Sequence, residues 1–312
     1  MVTSALDARI TLEQMRGSAK RRRKERLVKA VLGSAAAVGL VVSIAIVVAL
    51  IGEAVSWLTK IHLSWLWAGA WSPRTNEFDL PTIFAGTVLV AVIALAVAAP
   101  LGLGAAMYLS EYARPRVRRS LKPIVETLAG IPSVVLGYFA LTVINPDIVK
   151  KVFASAGTFT FLAAGIAVGI LTVPLVASVA EDAMFAVPRS LREAAYGLGA
   201  RRRTVTTKVV FPSAVSGVVA SLILGFSRAV GETMVVAIAA GATGSALRTF
   251  DPLSGGQTMT GAISSLAVGS DQVRGSSLAF PSLYFVGLLL FAITFVLNLV
   301  SERFVRRVRR MH

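Results

Sequence analysis

Apolar residues along this chain fall into six long runs, separated by shorter polar segments in which basic residues predominate. A helix needs about 20 apolar residues to cross the hydrocarbon core of a membrane, and each run approaches that length. The runs lie at residues 31–51, 82–106, 123–144, 159–179, 217–240 and 280–300. We therefore predict an all-α integral membrane protein with six transmembrane helices.

The composition favours the same class of protein. Hydrophobic residues make up 55% of the 312 positions and charged residues 15%, and the mean hydropathy is +0.73. The net charge of +16 could indicate a nucleic-acid partner, but the basic residues lie between the apolar runs instead of forming one continuous face. We therefore predict no nucleic-acid partner.

The basic residues also predict the orientation in the membrane, because loops rich in lysine and arginine remain on the cytoplasmic side. The N-terminal tail, the loops at 111–122 and 181–211 and the C-terminal tail hold most of the 32 lysine and arginine residues. These four segments alternate with loops that are poor in basic residues. We expect a multi-pass protein of the inner cell membrane with both termini cytoplasmic and with its basic tails in contact with membrane lipid.

The apolar runs and basic segments divide the chain into four parts. They are a basic cytoplasmic tail (1–30), a first span with an external segment (31–81), a core of five spans with a cytoplasmic loop at 181–212 (82–300) and a second basic tail (301–312). We expect the first apolar run to be retained as a membrane helix, since it lacks a convincing cleavage site. The tryptophans of the external segment predict an interfacial aromatic belt: Trp57, Trp65, Trp67 and Trp71.

Residues that could carry metal or thiol chemistry are nearly absent from the sequence. It contains no cysteine, and its two histidines, His62 and His312, are far apart in the chain. We predict no metal site, no cofactor and no catalytic residue.

The most informative polar segment is the cytoplasmic loop. Ser190 followed by Glu193 has the spacing of a capping box at the start of a helix. Small and apolar residues follow at helical spacing on one face, which suits docking against another protein: Leu191, Ala194, Ala195 and Leu198. Gly197 and Gly199 should end this helix, and a second basic helix should extend to Pro212.

This loop resembles the EAA loop of ABC importer permeases. The matching residues are Glu193, Ala194, Ala195, Gly199, Val209 and Pro212, with Phe211 where leucine is usual. The resemblance implies a type I ABC importer permease fold, in which this loop forms a coupling helix that docks on a cytoplasmic ATPase. The chain would then be a transport subunit and not an enzyme, with ATP hydrolysed by its partner. The alternative is an ordinary cytoplasmic connector.

A second string, at residues 253–257, reads LSGGQ and resembles the signature of ABC ATPases. The sequence has no phosphate-binding loop of the Gly-x-x-x-x-Gly-Lys-Ser/Thr type, and the string lies in a loop predicted to be external. We interpret it as a flexible turn after Asp251 and Pro252.

Two charged residues, Arg228 and Glu232, lie near the middle of the fifth predicted span. Charges at that depth usually face the bundle interior or a water-filled path. Their spacing of four residues places them on one helix face, where they can pair, and Gly225 and Gly231 allow close approach of another helix. An arginine there suits an oxyanion, and a structural ion pair is the equal alternative.

The residues around this pair are similar to those of PstC-type permeases of phosphate importers. The match comprises Arg228, Ala229, Gly231, Glu232, Thr233 and Met234, together with stretches at 101–113 and 126–139. The resemblance implies phosphate import, with Arg228, Glu232 and Thr233 on the path. It also implies a second homologous, PstA-like permease, two cytoplasmic ATPases and an external phosphate-binding protein. Alternatives are a permease for sulfate or molybdate, or an ATP-independent carrier or channel.

The third span should be kinked or locally unwound, because it contains Gly130, Pro132 and Gly137. Glu126, near its cytoplasmic end, is a third candidate polar residue for the path. A solvated carboxylate at a helix start is the favoured interpretation of Glu126.

Overall fold

The computed structural model describes residues 19–67, 69–241, 246–268 and 278–309, so the first part of the N-terminal tail and His312 lie outside the described residues. The helices in these ranges are α1 (Ala19–Leu58), α2 (Leu80–Tyr112), α3 (Pro115–Leu128), α4 (Ser133–Val152), α5 (Phe161–Phe185), α6 (Arg189–Gly197), α7 (Arg202–Ser213), α8 (Val215–Val230), α9 (Met234–Ala239), α10 (Met259–Val268) and α11 (Ala279–Arg309). Parts of α2, α4 and α7 have π-helical hydrogen bonding.

The predicted all-α membrane fold is confirmed. Among the described residues, five helices are long and apolar enough to cross a membrane, namely α1, α2, α4, α5 and α11. The pair α7 and α8 is bent by 72° and gives a sixth span if it is counted as one.

Helix α1 extends beyond the predicted span at both ends. Its 40 residues correspond to about 60 Å at the rise of an α-helix, about twice the hydrocarbon thickness of a membrane. The chain forms two compact units, residues 1–52 and residues 53–312. In the first unit, large apolar side chains from Leu27 to Val48 are exposed, as is typical of a helix that faces lipid.

The core of the second unit is built around α2 and α5, which pack closely along their length. A Cβ atom on Gly165 would lie 2.6 Å from Cβ of Ile93, and one on Gly169 would lie 2.7 Å from Cβ of Val97. These separations leave no room for a side chain. Glycine at these positions therefore sets how closely the two helices approach.

The third predicted span has the wrong boundaries. Helix α3 ends at Leu128, the chain turns at residues 129–132, and α4 then runs from Ser133 to Val152. Pro132 cannot donate a backbone hydrogen bond and, with Gly130, interrupts the helix. The predicted break is therefore confirmed, but the span lies at Ser133–Val152 and not at 123–144.

The segment after α1 and the segment after α9 contain short strands that the apolar pattern did not predict. They are β1 (Ala70–Ser72), β2 (Glu77–Phe78) and β3 (Ala246–Leu247), paired antiparallel in the order β2-β1-β3. Trp57 and Trp71 are fully buried against Phe78, with ring centroids 5.1 Å and 5.9 Å from it. The prediction of an interfacial aromatic belt is therefore wrong for Trp57 and Trp71, which form part of a core. Trp67 is exposed.

Asp79 connects this segment to α2. Its carboxylate accepts a hydrogen bond from the backbone nitrogen of Thr82 at 3.0 Å and pairs with Arg248 at 2.7 Å. Burial raises the pKa of Asp79, but the Arg248, Thr82 and Gly69 hydrogen bonds and the charge of Arg248 outweigh burial and hold the pKa below its ordinary value of 3.8. The contribution of the Asp79 carboxylate to the stability of the fold is therefore fully present above pH 3.8, and it is lost as the carboxyl is protonated at lower pH.

The LSGGQ string is not the flexible turn that its composition predicts. A Cβ atom on Gly256 would lie 2.6 Å from Cζ of Phe161, and one on Gly255 would lie 2.9 Å from the carbonyl oxygen of Ala240. The backbone nitrogen of Gly256 also donates to that carbonyl oxygen at 2.9 Å. Gln257 is buried. The segment is therefore a packed connection, because tertiary contacts override the local preference of its glycines.

Substitution of Gly86 tests this packing. A Cβ atom there would lie 2.4 Å from the backbone carbonyl oxygen of Gln257, so Gly86→Ala should lower the free energy of unfolding by about 1–3 kcal/mol. Gly104 lies on the same helix, and a Cβ atom added there would meet nothing within 4 Å, so Gly104→Ala should be neutral or stabilising. Thermal denaturation in detergent measures both, and equal stability of the two variants would contradict close packing of the segment.

Candidate functional site

The two candidate charges lie at a break in the fifth predicted span. Helix α8 ends at Val230 and α9 begins at Met234. The predicted continuous helix at 217–240 is therefore wrong, and so is the predicted Arg228–Glu232 pair: both residues are described and no salt bridge joins them. Gly231 weakens the helix, and the hydroxyl of Thr260 donates to the carbonyl oxygen of Glu232 at 2.7 Å.

The side chain of Arg228 is exposed. Within the described part of the chain, it forms no hydrogen bond or salt bridge, so its donors are available to a ligand. Glu232 is half-buried, and its Oε1 atom accepts a hydrogen bond from the backbone nitrogen of Val235 at 3.4 Å. Thr233 is also half-buried, and its hydroxyl donates to the carbonyl oxygen of Gly231 at 3.3 Å. The arrangement offers a free guanidinium beside an unwound, polar stretch of backbone.

The two halves of the span make their closest glycine contacts with different helices. A Cβ atom on Gly225 of α8 would lie 2.8 Å from Cγ2 of Val176 in α5, which confirms the predicted close approach. Gly137 of α4 lies against α9, where its Cβ would be 3.0 Å from Cα of Val235. Gly231 has no such contact and instead occupies the break.

Threonines on a neighbouring segment support the break and were missed in the sequence. Thr260 bonds to the carbonyl oxygen of Glu232, and its hydroxyl lies 3.1 Å from that of Thr258. The backbone nitrogen of Met259 bonds to the hydroxyl of Thr87 at 2.9 Å. Hydroxyls at the start of the short apolar helix α10 were the available signal, because buried hydroxyls need partners.

Glu126 lies apart from this break. It belongs to α3 and not to a membrane span, its side chain is exposed, and its Oε1 atom accepts a hydrogen bond from the hydroxyl of Ser178 at 3.1 Å. It lines a separate cavity with basic residues of α3. None of the described hydrogen bonds or salt bridges joins it to Arg228 or Glu232.

The pair of short helices predicted for the loop at 181–212 is present as α6 and α7. The capping box is wrong: Pro188 is the N-cap and Ser190 already lies inside the helix, where its hydroxyl makes no capping bond. Gly199 follows α6 with a φ of +77°, a conformation that glycine adopts without strain. Pro212 lies just before the bend between α7 and α8.

Most of the predicted docking face of α6 is uncovered. Leu198 is 90% exposed and Leu191 44% exposed, and Glu193 and Ala194 are also exposed. Ala195 instead packs partly against the core. An exposed group of apolar side chains on a polar loop is typical of a protein-binding surface.

Arg192 fixes α6 to the ends of two membrane helices. Its guanidinium pairs with Glu111 at the end of α2 at 2.8 Å and donates to the carbonyl oxygen of Met184 in α5 at 2.8 Å. Arg202 of α7 donates to the carbonyl oxygen of Glu111 and lies over the ring of Tyr112 at 5.0 Å. The Arg192 and Glu111 side chains are only 16% and 5% exposed. Sequence reasoning missed this junction, because its partners are far apart in the chain.

A set of apolar helices, one broken beside a free arginine, with an exposed coupling-type loop, defines a multi-pass membrane transport subunit. The family model described as "Binding-protein-dependent transport system inner membrane component" matches residues 98–310. The chain belongs to this family.

Curated relatives and solved structures agree with this assignment. The chain is 30% identical to the phosphate transport system permease protein PstC of Pasteurella multocida over 82% of this chain and 84% of the relative. It is 32% identical to PstC of Mesorhizobium japonicum over 81% and 82%. It is 38% identical to the probable ABC transporter permease protein YqgH of Bacillus subtilis, over only 55% and 56%.

Two solved structures share the fold at low sequence identity. A bacterial ABC transporter involved in import of the acidic polysaccharide alginate matches with a TM-score of 0.61 and 15% identity, over 92% of this chain and 98% of that chain. The inward-facing MetNI methionine ABC transporter matches with a TM-score of 0.53 and 18% identity, over 72% and 93%. Both are ABC transporters, which agrees with a permease fold.

Proposed function

We propose that this chain is a permease subunit of an ATP-driven importer of inorganic phosphate and forms half of the translocation path. The observation that carries the proposal is the exposed side chain of Arg228 beside the break between α8 and α9. A charged group near the middle of an apolar span is costly unless it meets water or a ligand. A guanidinium presents a planar set of donors that matches the oxygens of phosphate.

The break supplies the rest of the proposed path. Glu232 and Thr233 lie on the unwound stretch that follows Arg228. Arg228 attracts the anion, and the negative charge of Glu232 keeps binding weak enough for release, as conduction through a membrane path requires. Glu232 cannot act by orienting Arg228 through the predicted helix-face pair, since that pair is not formed. Glu126 is left outside the proposed path.

Phosphate is favoured over other oxyanions by the relatives, two of which are named as phosphate permeases. The geometry of one arginine does not distinguish phosphate from sulfate or molybdate. Competition between these anions during uptake separates the two proposals: excess sulfate or molybdate should leave phosphate uptake unchanged.

Coupling to ATP is proposed to occur through α6. Its exposed face, Leu191, Ala194 and Leu198, docks in a cytoplasmic ATPase, one of two in the complex. A second, PstA-like permease completes the path, and an external phosphate-binding protein delivers the anion. This arrangement places α6 and both termini on the cytoplasmic side, in agreement with the distribution of basic residues.

Uptake by the reconstituted complex tests the proposal. Phosphate uptake into vesicles should require ATP, the ATPases and the binding protein. Uptake by the chain without ATPase would instead support the ATP-independent carrier or channel. Glu193→Lys in the coupling helix should reduce uptake driven by ATP while the chain remains in the membrane.

A charge on the docking face should also release the ATPase. Leu198→Glu places a carboxylate in the proposed apolar contact, so we expect a loss of about tenfold or more in ATPase bound during purification. Leu247→Glu is the matched control, since Leu247 is 76% exposed but lies in the external strand β3. Equal ATPase recovery from both variants would contradict docking through α6.

A further inference from the structure

A second charged site lies away from the proposed path, at the ends of α2, α3, α5 and α6. It is a cavity of about 610 Å³ whose lining includes Arg118, Arg119, Lys122 and Arg189, with Glu126 as its one acidic lining residue. Neither the coupling surface nor the break beside Arg228 uses this cavity. The four basic groups outnumber the carboxylates of Glu126, Glu181 and Asp182 beside them, so the wall keeps a net positive charge.

Two of these basic groups are held in place by α5. Arg118 pairs with Glu181, which is fully buried, and lies 3.7 Å from the centroid of the Phe185 ring. Lys122 pairs with Glu181 at 2.7 Å and with Asp182 at 2.6 Å. Burial lowers the pKa of Lys122, but these two carboxylates outweigh burial and raise it, so the ammonium group stays charged. These pairs fix one wall of the cavity.

The other two basic groups are not neutralised. Arg119 and Arg189 are exposed, and neither forms a salt bridge with any residue that the structure describes. Both residues line the same cavity as Lys122. Arginine suits a phosphoryl group because its fork of donors can bond two oxygens of one phosphate at once.

The surroundings of the cavity favour a position at the level of lipid headgroups. It lies where the apolar spans α2 and α5 end and α3 begins. No residue of α3 is buried, and its apolar residues Ile124 and Leu128 are 56% and 47% exposed. An amphipathic helix with an uncovered apolar side is typical of the membrane interface, where basic pockets between helices bind anionic headgroups.

We infer that this cavity binds a phosphoryl group through Arg119 and Arg189. The group is carried either by an anionic phospholipid of the adjoining leaflet or by free inorganic phosphate. The site does not depend on the proposed transport of phosphate, since a lipid headgroup would occupy it in an importer of any solute.

Binding to the purified importer complex tests the site in two arms. Native mass spectrometry measures retention of phosphatidylglycerol against phosphatidylcholine, and equilibrium binding measures labelled inorganic phosphate, both without ATP. The phosphate measurement is made in an Arg228→Ala background, so that phosphate bound at the proposed translocation path does not contribute. Failure of the transport proposal and failure of the cavity proposal are therefore distinguishable. We expect selective binding in at least one arm, and the arm that responds identifies the source of the phosphoryl group.

The variants decide which residues carry the binding. Arg119→Ala with Arg189→Ala should weaken it by tenfold or more, as expected for the loss of charge-assisted hydrogen bonds. Arg119→Gln alone removes one charge but keeps a polar side chain, and it should have a smaller effect in the same direction. Arg116→Ala is the matched control, because Arg116 is exposed on α3 but does not line the cavity. Absence of selective binding in both arms, or an equal loss in the control, would overturn the inference.

Discussion

Replacing Arg228 with alanine should lower phosphate uptake by about 10- to 100-fold, since charge-assisted hydrogen bonds contribute about 1.5–3 kcal/mol to binding. The exposed side chain forms no hydrogen bond or salt bridge within the described residues that the fold would lose. The complex should therefore assemble normally. Uptake of labelled phosphate into vesicles, compared at equal amounts of purified complex, measures the effect.

The matched variants separate charge from geometry. Arg228→Lys keeps the charge but removes the planar fork of donors, so uptake should be intermediate. Arg203→Ala removes an exposed arginine from α7 and should leave anion recognition unchanged, as shown by an unaltered concentration of half-maximal uptake. Full uptake by an assembled Arg228→Ala complex would remove Arg228 from the path.

Breaking the Glu111–Arg192 junction should separate ATP hydrolysis from uptake. This pair is mostly buried and joins α6 to the end of α2. Glu111→Ala or Arg192→Ala leaves a buried charge without its partner, which typically costs about 3–5 kcal/mol of stability. With α6 held less firmly to α2, we expect uptake per ATP hydrolysed to fall several-fold.

A double-mutant cycle distinguishes coupling from general destabilisation. The two single losses should not add in the double variant, with an interaction free energy of about 0.5–3 kcal/mol. Asp147→Ala is the control, because it breaks a surface pair in which the Asp147 and Lys151 side chains are 56% and 69% exposed. This variant should change stability and the ratio of uptake to ATP hydrolysis little. An unchanged ratio of uptake to ATP hydrolysis in Glu111→Ala would assign the junction a structural role alone.

The apolar runs were sufficient to predict the class of fold, because each membrane helix must satisfy its own backbone and be apolar along its length. The end of α6 could also be predicted from the sequence, since Gly199 provides a backbone conformation that other residues rarely adopt. These features depend on residues close together in the chain. Local sequence therefore predicted them.

Features that depend on residues far apart in the chain could not be predicted from the sequence. The break after Val230 is stabilised by Thr260, so the helical spacing of Arg228 and Glu232 gave a pair that does not form. The Gly255–Gly256 dipeptide has the composition of a flexible turn, yet it packs against Phe161. Each contact joins residues that are remote in sequence, and a periodicity argument has no access to them.

Local rules also failed where two signals competed. Ser190 and Glu193 have capping-box spacing, but Pro188 two residues earlier already takes the N-cap position. A proline is compatible with a helix start, because the backbone N–H that it lacks would have no partner within the helix there. The candidate coupling face nevertheless remained predictable, since helical spacing places Leu191, Ala194 and Leu198 together whichever residue caps the helix.

The separate packing of α8 and α9 has a mechanical consequence. Gly225 seats α8 on α5, whereas Gly137 seats α9 on α4. Helix α9 also contacts α5, so sliding of α4 relative to α5 would be shared between that contact and the short linker that carries Glu232 and Thr233. A small shear between two neighbouring helices would then change the spacing of polar groups along the proposed path, without tilting the whole span.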